Sequence, residues 1–149
     1  MTTVTTATTP LLLITADPSH PLAHLALRYA KALLEQAKDT ANSTDIADSE
    51  LNQPPLNVFF YADAAHTANR LRWQSAEQFN LTQAWQTLAT QYQLPLPVCV
   101  STALSRGISD TDNSERHQLD GDNVATGFHL VGLSELAMMM QSNCRLIQF

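Results

Sequence analysis

The stretch that decides the fold is "LPVCVSTALSRG", Leu96–Gly107. Its opening, LPVCV, is a short apolar run of the kind that forms a buried strand. A capping-type serine, Ser101, then begins STALSRG, and Gly107 closes it as a helix-ending glycine does. Strand therefore passes into helix close to Cys99. In parallel α/β sheets, ligands and reactive groups gather at the carboxyl ends of strands. Cys99 is placed at one such end.

The same alternation runs outward in both directions. Toward the N-terminus, Leu11–Thr15 (LLLIT) and Leu56–Tyr61 (LNVFFY) read as strands. After the first, Pro21 suits an opening helical turn. Leu22, Leu25, Ala26, Tyr29 and Leu33 then fall on one helical face. The polar, acidic segment 38–55 reads as a flexible loop. Asp63 is a candidate cap for a short helix running towards Arg70. Asn80 is a candidate N-cap for a helix whose apolar face is Leu81, Ala84, Trp85, Leu88 and Tyr92. Beyond Gly107, residues 108–126 read as a polar loop. Leu133, Leu136, Ala137 and Met140 form one more helical face, and Arg145–Phe149 (RLIQF) is a closing strand. Four strands alternating with helices predict an α/β fold with a mainly parallel sheet and helices on both faces. The Thr-rich residues 1–10 read as a disordered tail, leaving one domain over 11–149.

Composition narrows the function. Of 149 residues, 44% are hydrophobic and only 15% charged, against roughly 25% in ordinary soluble domains. So sparse a charge suits a surface partly covered by other subunits. The formal charge of −6 argues against a chain that grips nucleic acid directly. No apolar run approaches the ~20 residues of a membrane span, and the first residues lack the basic start of a signal peptide. With two cysteines, Cys99 and Cys144, a disulfide framework is excluded and a reducing, cytoplasmic setting is expected.

All four glycines lie in the last third of the chain, so no glycine-rich phosphate loop follows the first strand. No Gly-x-Ser-x-Gly elbow is present. "DTDNSERHQLDG" (110–121) begins like a calcium loop but lacks its sixth-position glycine and final glutamate. His20 and His24 are four apart without a third ligand, and His66, His117 and His129 stand singly. Neither a metal nor a cofactor is expected.

Cys99 has two readings from its position. It is a buried, inert thiol, as free cysteines commonly are. Or it is a poised thiolate, favoured by N–H groups of the following helix and by the nearby Arg106. Cys144 precedes the last strand, with no helix terminus after it, and reads as structural.

The chain resembles the DsrE/TusD family of sulfur-carrier subunits. The matching pieces are VFFY (58–61), AN (68–69) and AW (84–85), the unit at 99–107 with its CV, AL and RG, then GF (127–128), GL (132–133) and QF (148–149). Their order holds over most of the chain. The resemblance implies a three-layer α/β/α sandwich and a heterohexamer with TusB-like and TusC-like subunits. It also implies that Cys99 carries a persulfide, taking sulfur from a TusA-like donor and passing it to a TusE-like acceptor. The destination would be 2-thiouridine at the tRNA wobble position. A DsrE-type role in sulfur oxidation and a non-catalytic place in the same hexamer are the alternatives. The first loop, ADPSH, lacks the family's glycine-containing turn, and the 38–55 insert is longer than usual.

Overall fold

Leu11, Leu12 and Ile14 are all buried, and so are Val58, Phe59 and Phe60. Strands enclosed on both faces need apolar side chains at successive positions, as in the interior of a parallel sheet. The structure, a computed structural model, describes residues 8–43, 54–141 and 143–149. Its five strands are β1 (Thr9–Ile14), β2 (Asn57–Phe60), β3 (Leu96–Cys99), β4 (Phe128–Val131) and β5 (Cys144–Gln148). They form one sheet in the order β4-β3-β2-β1-β5, and every pairing is parallel. The register runs from Leu11↔Asn57 to Ile14↔Phe60, from Thr9↔Cys144 to Leu13↔Gln148, and from Leu96↔Phe128 to Cys99↔Val131.

Five α-helices connect the strands: α1 (Pro21–Ser43), α2 (Leu81–Tyr92), α3 (Val100–Leu104), α4 (Thr111–His117) and α5 (Leu133–Gln141). A 3₁₀ helix spans Ala62–Ala68. The crossovers β1–β2, β2–β3 and β3–β4 step the same way across the sheet. Right-handedness therefore sends their helices to one face. The last crossover steps back from β4 to the far edge, beside β1, and sends α5 to the other face. The result is the α/β/α sandwich, with one outer layer made, among the described residues, by a single nine-residue helix.

The larger core lies under α1 and α2. Phe60 meets Trp85 edge-on, with ring centroids 5.3 Å apart, and Phe128 at 5.4 Å. Asn80 caps α2 as its position predicts, its side chain accepting from Gln83 N–H at 3.0 Å.

Several local expectations are corrected. The strand begins at Thr9, inside the segment read as a tail; residues 1–7 lie outside the described residues. The buried stripe of α1 is Ala23, Ala26, Leu27, Ala30 and Leu34. That is nearly the expected face moved on by one residue, and Leu22 and Leu25 point outward. The helix continues through 38–43, where a loop was expected, and residues 44–53 of that insert lie outside the described residues. Asp63 does not cap the 3₁₀ helix, which starts after Tyr61 without a side-chain cap. Its carboxylate accepts instead from Arg106. The 108–126 segment contains α4, capped by Asp110, whose Oδ1 accepts from Asn113 N–H at 2.9 Å. Strand β4 was not foreseen. Its four residues follow Gly127, whose φ of 93° turns the chain into the sheet edge.

Candidate active site at Cys99

Cys99 is the last residue of β3 and stands at the N-cap position of α3. Val100, read as strand, is already helical. The helix after β3 packs on the α1–α2 face, whereas the helix after β4 packs on the opposite face. Adjacent strands whose outgoing connections diverge form the crevice where α/β sheets place their sites. Cys99 and its register partner Val131 are the two strand ends at this switch point.

The side chain of Cys99 turns to the α5 face. It clusters with Leu11 and Phe59, and Leu13, Tyr61, Val131, Leu136, Met139 and Cys144 pack against that cluster. The residue is fully buried. Its sulfur lies 3.3 Å from Ser101 Oγ. Thr102 Oγ1 donates to the Cys99 carbonyl at 3.2 Å, which ties the first turn of α3 to the strand end. Burial pushes the Cys99 thiol up from its ordinary value. Hydrogen bonds from the Ser101 hydroxyl, the Thr102 N–H and hydroxyl, and the Ser101 N–H outweigh it and hold the thiol below that value on balance. The helix-start effect expected from sequence is thus delivered by individual donors. A five-residue helix has little macrodipole of its own.

Other expected contributors stand apart. The guanidinium of Arg106 is paired with Asp63 at 3.0 Å and bonds the Thr102 carbonyl, so its charge is already answered. His66 lies in the 3₁₀ helix, where it interacts with Asp17. His117 ends α4. His129 shares the face of Cys99 but stands two residues before Val131 and is exposed. His20 Nδ1 accepts from Leu22 N–H at 3.1 Å, and the His24 ring packs against Phe79. Surface hollows of about 480 and 500 Å³ lie along α2, across the sheet from Cys99, and neither is lined by it.

Cys144 opens β5, at the opposite corner of the same sheet face. Three strand steps separate it from Cys99, about 14 Å across the sheet, with about 20 Å more along the strands. A disulfide needs Cα atoms within about 7 Å, so the two cysteines do not pair within one chain.

Ser101 is the residue whose role sequence reasoning missed. It was read as a helix cap, but the cap position belongs to Cys99 and Ser101 bonds the sulfur instead. A hydroxyl two residues beyond a strand-end cysteine is the signal that marks it.

The model of the DsrE/DsrF-like family matches residues 11–149. The chain belongs to the DsrE/DsrF-like family. The sulfurtransferase TusD of Proteus mirabilis is 37% identical over 124 residues, covering 83% of this chain and 84% of that protein. The sulfurtransferase TusD homolog of Vibrio parahaemolyticus is 34% identical, covering 85% and 86%. Such relatives indicate sulfurtransferase activity and a role in sulfur relay. Among solved structures, the ychN protein from E. coli superposes with a TM-score of 0.69. It is 22% identical and covers 96% of this chain and all of its own, a likeness in fold. No described helix of this DsrE/DsrF-like chain is long and apolar enough to cross a membrane.

Proposed function

We propose that the chain is a sulfur carrier that holds persulfide sulfur on Cys99. The observation that carries this reading is a thiol at the switch point of the sheet, hydrogen-bonded in the sense that favours thiolate. In the first half-reaction the Cys99 thiolate attacks the outer sulfur of a donor persulfide. The new Cys99 S–S bond forms as the donor's S–S bond breaks, and the donor leaves as its own thiolate. In the second, an acceptor thiolate attacks the outer sulfur of Cys99–S–SH, and Cys99 leaves as thiolate. No net oxidation or reduction occurs. Both halves profit from a stabilised thiolate, as reagent first and as leaving group second.

The resemblance to TusD proteins supports a TusA-like donor, a TusE-like acceptor and delivery to 2-thiouridine in tRNA, in the cytoplasm. It also supports TusB-like and TusC-like partners in a heterohexamer. The net charge of −6 suits a chain that passes sulfur to proteins and does not itself hold tRNA. One observation favours the alternative of an inert cysteine in a structural subunit, namely the complete burial of Cys99.

Incubation with a persulfide-loaded donor separates the two readings. The Cys99 peptide should gain about 32 Da, the mass of one sulfur atom, as persulfidation requires. The gain should be absent in Cys99→Ser. Transfer to the acceptor with no adduct on Cys99 would refute the carrier role.

A further inference from the structure

The buried sulfur of Cys99 touches an exposed residue. Ser101 sits in the first turn of α3, open to solvent, with its Oγ 3.3 Å from Sγ. Besides the Thr102 hydroxyl and the backbone of its own turn, Cys99 clusters with apolar side chains of β1 and β2, against which residues of β4 and α5 pack. We propose that Ser101 is the positioning residue of the sulfur-transfer site, its hydroxyl donating to the Cys99 thiolate and standing between the sulfur and solvent. The proposal rests on the carrier reading of Cys99 for its purpose, though not for its geometry.

The chemistry of the two groups sets the direction. A thiolate has no proton and only accepts, so the hydroxyl must donate once Cys99 ionises. In the thiol form either group can donate. The bond is therefore stronger to the charged form and draws the equilibrium towards it. Full burial of the sulfur works the other way, and the Ser101 hydroxyl is the foremost of the donors that offset it.

The titratable and charged groups on the elements around the sulfur are few. They are Tyr61 after β2, His129 on β4, Glu135 at the start of α5, Cys144 and Arg145 on β5, the latter turned to the α1 side where it donates to the Tyr29 hydroxyl at 3.4 Å, and the Arg106–Asp63 pair. His129 and Glu135 interact with each other, and Arg106 and Asp63 neutralise each other. Among the described residues, the donors to the sulfur come from Ser101 and Thr102. Of these, the Ser101 hydroxyl is removable by a change that leaves the backbone donors in place.

The test follows thiolate ultraviolet absorbance against pH, which needs no reagent to reach a buried atom. It uses the full chain with Cys144→Ser, and the same protein carrying Cys99→Ser is subtracted to remove tyrosine signals, Tyr61 among them. Ser101→Ala should move the ionisation midpoint to higher pH, and Ser101→Thr, which keeps the hydroxyl, should move it back. Alkylation by iodoacetamide at neutral pH should slow about tenfold in Ser101→Ala, the lower end of what one lost hydrogen bond to a charged group costs. The alkaline plateau should stay at least as high. Coincident midpoints for the parent and Ser101→Ala would overturn the proposal. So would equal shifts in the alanine and threonine variants, or one uniform slowing at every pH, which reports access and not ionisation. Donor loading is measured separately. If Cys99 takes no sulfur while the midpoints still separate, the carrier reading falls and the hydrogen bond stands.

Discussion

The two faces of the sheet are built differently. Under α1 and α2, Trp85, Phe60, Leu34 and Leu81 are almost completely enclosed. On the other face α5 has no buried residue, and Met138 is 66% exposed, Met140 49%, Leu133 47% and Leu146 45%. Parallel sheets are normally covered on both sides. A row of exposed leucine and methionine on a surface this poor in charge sets this face apart from the enclosed one. One face supplies the stability of the fold. The other combines a thin apolar covering with the cysteine.

The largest expected effect tests that division directly. Trp85→Ala should cost about 3–5 kcal/mol of stability in urea unfolding, as deletion of a buried aromatic does. Met138→Ala should change the isolated chain by no more than about 0.5 kcal/mol. Comparable losses would mean that the α5 face is as well packed as the other, and the contrast would fail.

A smaller effect belongs to the seam between the faces, at the end of β1. Asp17 Oδ1 accepts from Ser19 N–H at 2.9 Å and Ser19 Oγ at 2.6 Å. Partial burial raises its carboxyl, but these bonds, with His66 and Arg72, hold it below its ordinary value of 3.8 on balance. A carboxyl depressed in the folded state stabilises the fold above the unfolded value and loses that contribution as pH falls through the folded value. The window therefore lies on the acid side of about pH 4. Asp17→Asn should flatten the acid limb of stability against pH by less than about 1 kcal/mol, the scale of a partly exposed hydrogen-bonded carboxylate. An unchanged limb would remove Asp17 from the account.

The smallest change is expected at Cys144. It shares the face of Cys99 but neither its switch point nor its donors. Cys144→Ser should leave sulfur transfer within about twofold of the parent, since a thiol too distant to form a disulfide has no part in the exchange. A loss as complete as that of Cys99→Ser, in a folded protein, would sharpen the comparison in the opposite direction.

The sequence made the alternation of strand and helix legible because LLLIT, LNVFFY and LPVCV are strong apolar runs, and because Asn80 introduces a clear periodic face. The facing of α1 was harder. Leu22 and Leu25 look apolar, whereas the true stripe relies on Ala23, Ala26 and Ala30, whose small side chains let the helix approach the sheet but signal weakly. Helix α4 buries only Ser114, so it has no apolar period to detect. In β4 the exposed His129 interrupts a strand of only four residues. At the site, the position of Cys99 followed from its own segment. Its burial did not, because Val131, Leu136 and Met139 come over it only through the returning crossover. The bond from Ser101 was hidden for a related reason: a hydroxyl at a helix start fits a cap and a sulfur ligand equally well until the backbone is placed.

The pairing of β1 with β5 has a consequence for how the protein is made. Thr15 bonds the Phe149 carbonyl through both its N–H and its hydroxyl, across 134 residues of chain. Strand β1 therefore holds one edge open until β5 is made. At about 5–20 residues per second that wait is roughly 7–27 s. An unpaired, apolar edge is the kind that joins other nascent chains. Such distant closure also makes the final pairing slow to form. The interval before β5 arrives is when this molecule most needs a chaperone's cover.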